Sequence, residues 1–167
     1  SLLLFTSCDP NAIKGDGEIL TETRTEKDFT GVDAAVPGKI NVKHGPIFKV
    51  VVQVEENLLP YLKTEVESNG VLHIYFSEEV RDVDGLVVSL TMPALESIRL
   101  SGSGTVATSG LFSGASMDID VSGSGEVVTD FMDFDNIDVQ LSGSGEIELH
   151  GTGGILKSQI SGSGDFE

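Results

Sequence analysis

Leu100-Ser101-Gly102-Ser103-Gly104, Val121-Ser122-Gly123-Ser124-Gly125, Leu141-Ser142-Gly143-Ser144-Gly145 and Ile160-Ser161-Gly162-Ser163-Gly164 are four copies of one pattern, an aliphatic residue followed by Ser-Gly-Ser-Gly. They recur at spacings of 21, 20 and 19 residues, close to one coil of a β-solenoid. A flexible Ser/Gly linker would have neither that period nor the hydrophobic residues between the copies. Residues two apart on a strand share a face. Ile98 and Leu100 therefore point one way, as do Ile119 with Val121 and Val139 with Leu141. Met117, Ile137 and Leu156 form a further column one step earlier, and Val106, Val127, Ile147 and Phe166 one step later. Coils stacked at ~4.8 Å would bury in these columns a core that no single coil could bury alone.

The same alternation turns the glycines inward, where the wall must bend or approach its opposite closely, and the serines outward. Ser103 and Thr105, Ser124 and Glu126, Ser144 and Glu146, and Ser163 and Asp165 then align as a stripe of hydroxyls and carboxylates. Such a stripe has two readings, a surface for a sugar or a cation, or a solvated ladder whose like charges water screens. A phosphate-binding loop is excluded, because no Gly-Lys-Ser/Thr follows the glycines and the surroundings are acidic.

The chain has 167 residues, enough for one domain with a real core. It carries 20 glycines, well above the ~7% norm, no Trp and only 6% aromatic residues, so its core must be layered aliphatic side chains. Asp and Glu number 27 against 10 Lys and Arg, a formal charge of −17. That surface repels nucleic-acid backbones and anionic headgroups. No nucleic-acid partner is expected.

Upstream of the repeats, from about Phe29 to Met92, short β-rich runs alternate with turn residues and show no helical period. Ile47 to Val54 is β-branched and strand-length, Ser68-Asn69-Gly70 supplies a hairpin turn before Val71 to Phe76, and Leu86 to Met92 is a strand stopped by Pro93. His44, His73 and His150 have no zinc spacing. Asp118, Asp120 and Asp138, with Asp130, Asp133 and Asp135, are weak candidates for calcium, but no calcium-loop motif contains them. No metal and no cofactor other than calcium enters the reading. Catalysis is not expected: no nucleophile elbow is present, and the acids lack a neighbouring aromatic sugar platform. A polysaccharide-acting β-helix is the enzymatic alternative.

The chain opens Ser1-Leu2-Leu3-Leu4-Phe5-Thr6-Ser7-Cys8, an apolar run ending in small residues and the only cysteine. It reads as the remnant of a lipoprotein signal, with Cys8 as the lipid-attachment residue. The alternative is a short buried strand with an incidental thiol. Residues 9–28 then read as a tether and first strand, and residues 29–167 as one β-solenoid-like domain, with irregular strands over 29–99 and repeats over 100–167. Nothing later approaches the length of a membrane-spanning helix, so contact with the membrane would be by lipid anchor only.

Three stretches resemble a known family, the putative auto-transporter adhesin, head GIN domain family of exported bacterial proteins: Phe29-Thr30-Gly31-Val32, Glu56-Asn57-Leu58-Leu59-Pro60, and Pro93-Ala94-Leu95-Glu96-Ser97-Ile98-Arg99-Leu100-Ser101-Gly102-Ser103-Gly104. The resemblance covers about Phe29 to Glu167. It implies an all-β, solenoid-like fold on an exported protein with an adhesion or binding role, and it supplies no catalytic residues. The expected protein is a non-enzymatic envelope module, lipid-anchored at the outer membrane, whose partner is a glycan or a host or matrix protein. The alternative is an assembly module that forms a homo-oligomer through the unpaired edge of its last coil.

Overall fold

The computed structural model describes residues 10–167, and Cys8 lies outside them. The fold is all-β, with no helix among the described residues. Short strands β1 (Ile13–Lys14) and β8 (Val80–Arg81) pair with each other. One large sheet contains β3 (Gly31–Ala35), β6 (Leu62–Val66), β7 (Val71–Phe76), β10 (Ser97–Gly102), β12 (Leu111–Gly123), β14 (Phe131–Gly143) and β16 (Gly151–Gly162), in the order β16-β14-β12-β10-β3-β7-β6. The other contains β2 (Ile19–Arg24), β4 (Lys39–His44), β5 (Lys49–Glu55), β9 (Val87–Met92), β11 (Thr105–Ser109), β13 (Glu126–Val128), β15 (Glu146–Glu148) and β17 (Asp165–Phe166), in the order β17-β15-β13-β11-β4-β9-β5-β2.

Each repeat gives one strand to each sheet, and its strands pair in parallel with those of the repeat before it. Ile98, Ile119 and Val139 stand in register, as do Leu100, Val121, Leu141 and Ile160. On the second sheet Val106, Val127, Ile147 and Phe166 form the matching column. All of these up to Leu141 and Ile147 are buried, and each fully buried aliphatic side chain contributes ~1.5–3 kcal/mol of burial free energy.

The tetrapeptide makes the corner between the two sheets. Alternation alone turns both of its glycines inward, but only the second is inside. Gly104, Gly125 and Gly145 are buried, whereas Gly102, Gly123, Gly143 and Gly162 are exposed at φ between +100° and +111°. The left-handed residue interrupts the extended backbone, so the period of two does not carry through the corner. Close stacking sets the need for the inner glycine. A Cβ on Gly145 would lie 2.5 Å from the carbonyl oxygen of Gly125, and one on Gly125 would lie 2.9 Å from that of Gly104.

The upstream region supplies two more layers of the same stack. Gly31, Val32, Asp33 and Ala34 pair in parallel with Ser97, Ile98, Arg99 and Leu100, and Lys39 to Lys43 with Thr105 to Ser109. Ala34-Ala35-Val36-Pro37-Gly38-Lys39 therefore spans the same corner as Leu100 to Thr105, with Gly38 in the place of Gly104. Beneath it, β7 and β9 pair in parallel with β3 and β4, and Leu86 reaches the position of Gly38. Of the parallel layers the chain lays down β3 and β4 first, yet they end between a layer made later and the first repeat.

Below β7 and β9 the pairing turns antiparallel: β6 adds to β7, and β5 then β2 add to β9. The β6–β7 connection is the Ser68-Asn69-Gly70 hairpin turn, with Gly70 at φ +78°. Arg24 donates from Nη2 to the Leu62 carbonyl at 3.2 Å and from Nη1 to Thr64 Oγ1 at 3.4 Å, and the Thr64 hydroxyl donates to Glu26. These bonds join the edges of the two sheets. Part of the expected tether is tied down as well: Ile13 N–H donates to Glu79 O at 2.8 Å, Gly15 N–H to Arg81 O at 2.9 Å, and Asn57 Nδ2 to Lys14 O at 2.7 Å.

Candidate binding surface

Two outer faces carry the polar residues. On the β17-to-β2 sheet the register places Val87, Lys39, Thr105, Glu126, Glu146 and Asp165 in one row across six strands. Thr105, Glu126, Glu146 and Asp165 of the expected stripe are thus brought together, about 4.8 Å apart from strand to strand. Ser103, Ser124, Ser144 and Ser163 stand beside them, exposed at the corners. Backbone bonds hold this edge in place: Ser124 N–H donates to Gly102 O at 3.0 Å, Glu126 N–H to Gly104 O at 3.0 Å, and Ser163 N–H to Gly143 O at 2.9 Å. The peptide groups are consumed by coil-to-coil pairing, which leaves the hydroxyls and carboxylates directed outward. The row is also polarised. Lys39 and Lys43 lie on β4 and Lys49 on β5 of the same sheet, and Glu126, Glu146, Glu148 and Asp165 on its upper strands.

The opposite face holds a row that reading the repeats alone does not reveal: Glu65, His73, Asp33, Arg99, Asp120, Gln140 and Gln159. Arg99 reaches both neighbours, with Nη1 3.9 Å from Asp33 Oδ2 and Nε 3.8 Å from Asp120 Oδ2. Burial pushes the Asp33 carboxyl above its usual value; His73 and Arg99 oppose that shift, and Glu67 and Asp120 add to it. Next to this row lies a cleft of about 100 Å³ whose lining includes Asp33, Glu67, Ser97, Arg99, Asp118 and Asp120. The signal for Asp33 was present in the sequence, but only an alignment of Gly31–Ile40 on Ser97–Val106 exposes it.

Asp118 and Asp138 pair across adjacent strands, while Asp120 pairs with Gln140 and is engaged by Arg99. Lys157 follows Asp138 in the same row. No group of three or more His, Cys, Asp or Glu that could hold a metal ion occurs among the described residues. The histidines lie apart. His44 packs edge-on against Phe112 at 5.3 Å, His73 stacks on Tyr75 at 4.5 Å, and His150 donates from Nδ1 to the Thr129 carbonyl at 2.9 Å while Nε2 lies 3.2 Å from Glu148.

The family model described as "Putative auto-transporter adhesin, head GIN domain" matches residues 28–167. The chain belongs to this family. Solved structures similar to this head GIN domain include a putative adhesin from Bacteroides fragilis NCTC 9343, at 17% identity and TM-score 0.71, covering 93% of this chain and 99% of that one. A putative adhesin from Parabacteroides merdae ATCC 43184 is similar at 14% identity and TM-score 0.66, with 93% and 99% covered. A putative lipid binding protein from Parabacteroides distasonis ATCC 8503 is similar at 23% identity and TM-score 0.73, with 93% of this chain and 76% of that one covered. At these identities the likeness establishes a shared fold. No curated protein matches the chain.

Proposed function

We propose that this head GIN domain is a non-enzymatic binding module of the bacterial cell envelope, a β-solenoid that engages a glycan or an extracellular-matrix protein along the outer face of its coils. The observation that carries this reading is the in-register row Thr105, Glu126, Glu146 and Asp165, flanked by the exposed corner serines Ser103, Ser124, Ser144 and Ser163. Hydroxyls and carboxylates repeated at one spacing on a rigid sheet match the hydroxyl pattern of a chain-like polysaccharide, or the basic side chains of an extended peptide. Rigidity lowers the ordering cost of binding. The family description as an adhesin supports the same class of role. The −17 charge disfavours anionic lipid and nucleic acid as ligands.

The domain is exported and held by lipid at Cys8, in the outer membrane. Support comes from the Leu2-Leu3-Leu4-Phe5-Thr6-Ser7-Cys8 run. Changing Cys8→Ala is expected to release the protein from the membrane fraction; unchanged fractionation and processing would refute the anchor. For the ligand, glycan and matrix-protein arrays probed with and without calcium are expected to give a saturable hit. Replacing Ser124, Glu126, Ser144 and Glu146 together by Ala should abolish it. A hit that survives this replacement would move the binding surface elsewhere, and blank arrays would remove the adhesive reading.

A further inference from the structure

In the middle of the stack β7, β3, β10 and β12 lie side by side, each paired on both edges, and their outer face holds polar side chains that the protein leaves unengaged. Arg99 stands between Asp33 and Asp120, yet its approaches of 3.9 and 3.8 Å are too long for hydrogen bonds. The 3.7 Å between His73 Nδ1 and Glu67 Oε1 is too long as well. The side chains of Asp33, Glu67, Arg99, Asp118 and Asp120 make no hydrogen bond among the described residues. All five line the cleft of about 100 Å³. Asn69, which also lines it, uses only its Oδ1, on the Val71 N–H at 3.1 Å. On the β7 side the rings of His73 and Tyr75 stack at 4.5 Å and 28°, and the Tyr75 hydroxyl donates to Glu65 Oε2 at 3.1 Å. This half-buried pair gives the polar cleft an apolar flank.

We propose that this cleft is a saccharide subsite, taking the hydroxyl-bearing edge of one neutral sugar residue beside the His73–Tyr75 pair. The mixture of groups selects that class. A sugar hydroxyl donates and accepts at once. Lying between Arg99 and Asp33 or Asp120, it takes an N–H from the guanidinium and gives its own proton to a carboxylate, which closes the gaps that Arg99 leaves and that water otherwise fills. A simple cation would find the carboxylates but be repelled by Arg99, and an anionic sugar would meet four carboxylates against one guanidinium. The C–H face of a sugar ring rests on the aromatic flank, as apolar surface does on such rings. A cleft of this size engages one residue only, so affinity for a monosaccharide is on the order of millimolar. The subsite lies on the opposite sheet from Thr105, Glu126, Glu146 and Asp165 and does not depend on the binding row proposed above.

The chain has no Trp and two Tyr, Tyr61 and Tyr75, so in a Tyr61→Phe background tyrosine emission reports on the flank of the cleft alone. The test is titration of this full chain with the methyl glycosides of glucose, galactose, mannose and N-acetylglucosamine. A saturable change with at least one of them is expected. Arg99→Ala and Asp120→Asn, at side chains 65% and 46% exposed and each checked for a native circular dichroism spectrum, should weaken it about tenfold or more. Glu126→Ala combined with Glu146→Ala, on the other sheet, should leave it unchanged. No response to any of the four sugars would overturn the proposal, as would binding that both cleft variants retain. A response to methylammonium or calcium in place of the sugars would also overturn it and make the cleft a cation site.

Discussion

At the lower end of the stack the last strands run antiparallel, carry Lys63, Glu65, Glu22 and Arg24, and are joined across the two sheets by Arg24, Thr64 and Glu26. At the upper end β16 keeps the parallel sense of the repeat, has a single charged residue, Lys157, and leaves Leu156 and Ile160 in solvent. Among the described residues the aliphatic columns are therefore covered by charged and hydrogen-bonded strands below and exposed above. The contrast separates what the repeat does from what its context does. A coil supplies core and pairing, but how its outermost layer is finished depends on residues outside the pattern.

Substitution along one column gives the largest expected effect. Leu141→Ala, at 1% exposure, should lower unfolding free energy by about 3 kcal/mol, whereas Ile160→Ala one layer higher, at 46% exposure, should cost well under half of that in the same denaturant titration. Equal losses would show that the upper end is covered in solution. The corner sharpens the comparison at the level of single atoms. Gly104→Ala would drive a methyl group into the Val36 and Gly38 carbonyl oxygens and should cost about 2–3 kcal/mol. Gly102→Ala, two residues earlier, meets no atom within 4 Å and should cost about 1 kcal/mol, the strain of its left-handed backbone. At the lower end, Arg24→Ala should cost about 1–2 kcal/mol, because it leaves Thr64 and the Leu62 carbonyl without their donor. A loss near zero would mean that the bridge between the sheet edges does not close that end.

The smallest effect concerns pH. Asp33 holds its proton to higher pH in the folded chain than in the unfolded one. The folded state therefore binds the extra proton, and this group's contribution to stability is fully present below the unfolded carboxyl value of about 3.9. It is lost as pH rises through the raised folded value. Asp33→Asn removes that dependence, so the stability of the variant relative to the parent should increase with pH across this interval. A difference that stays flat or falls would contradict the burial of Asp33.

Much of the upper half was legible from the spacing of one tetrapeptide. Pairing of Ile98 with Ile119 and of Val106 with Val127 followed from register alone, as did the alignment of Glu126, Glu146 and Asp165. The lower half was less legible because the corner there is written in other residues. Val36-Pro37-Gly38 replaces Gly-Ser-Gly, and in the layer beneath it the corner is an excursion through Ser77 to Gly85, secured where the Asp84 and Gly85 N–H groups donate to buried Glu55. Period detection depends on repeated letters, whereas stacking needs only a β-branched or aliphatic residue at each inward place and room at the corner. The Asp33–Arg99–Asp120 row was hidden for the same reason. Alternation failed at the first glycine of each corner, since a period of two holds only while the backbone stays extended.

The position of β3 and β4 also bears on synthesis. A nascent chain presents this plank before any strand that pairs with it, so both of its long edges are unsatisfied. The partner below arrives with Val71 to Met92, and the partner above only with Ser97 and beyond. Winding cannot simply advance from the N-terminus, as it does in arrays whose neighbours in space are neighbours in sequence. Pairing on both sides of β3 and β4 instead requires two long loops to close. Beyond these layers each added turn touches only the one before it. Over evolutionary time, turns could be gained or lost at the upper side without re-laying the lower one, so the length of the outer face is free to vary while its foundation stays fixed.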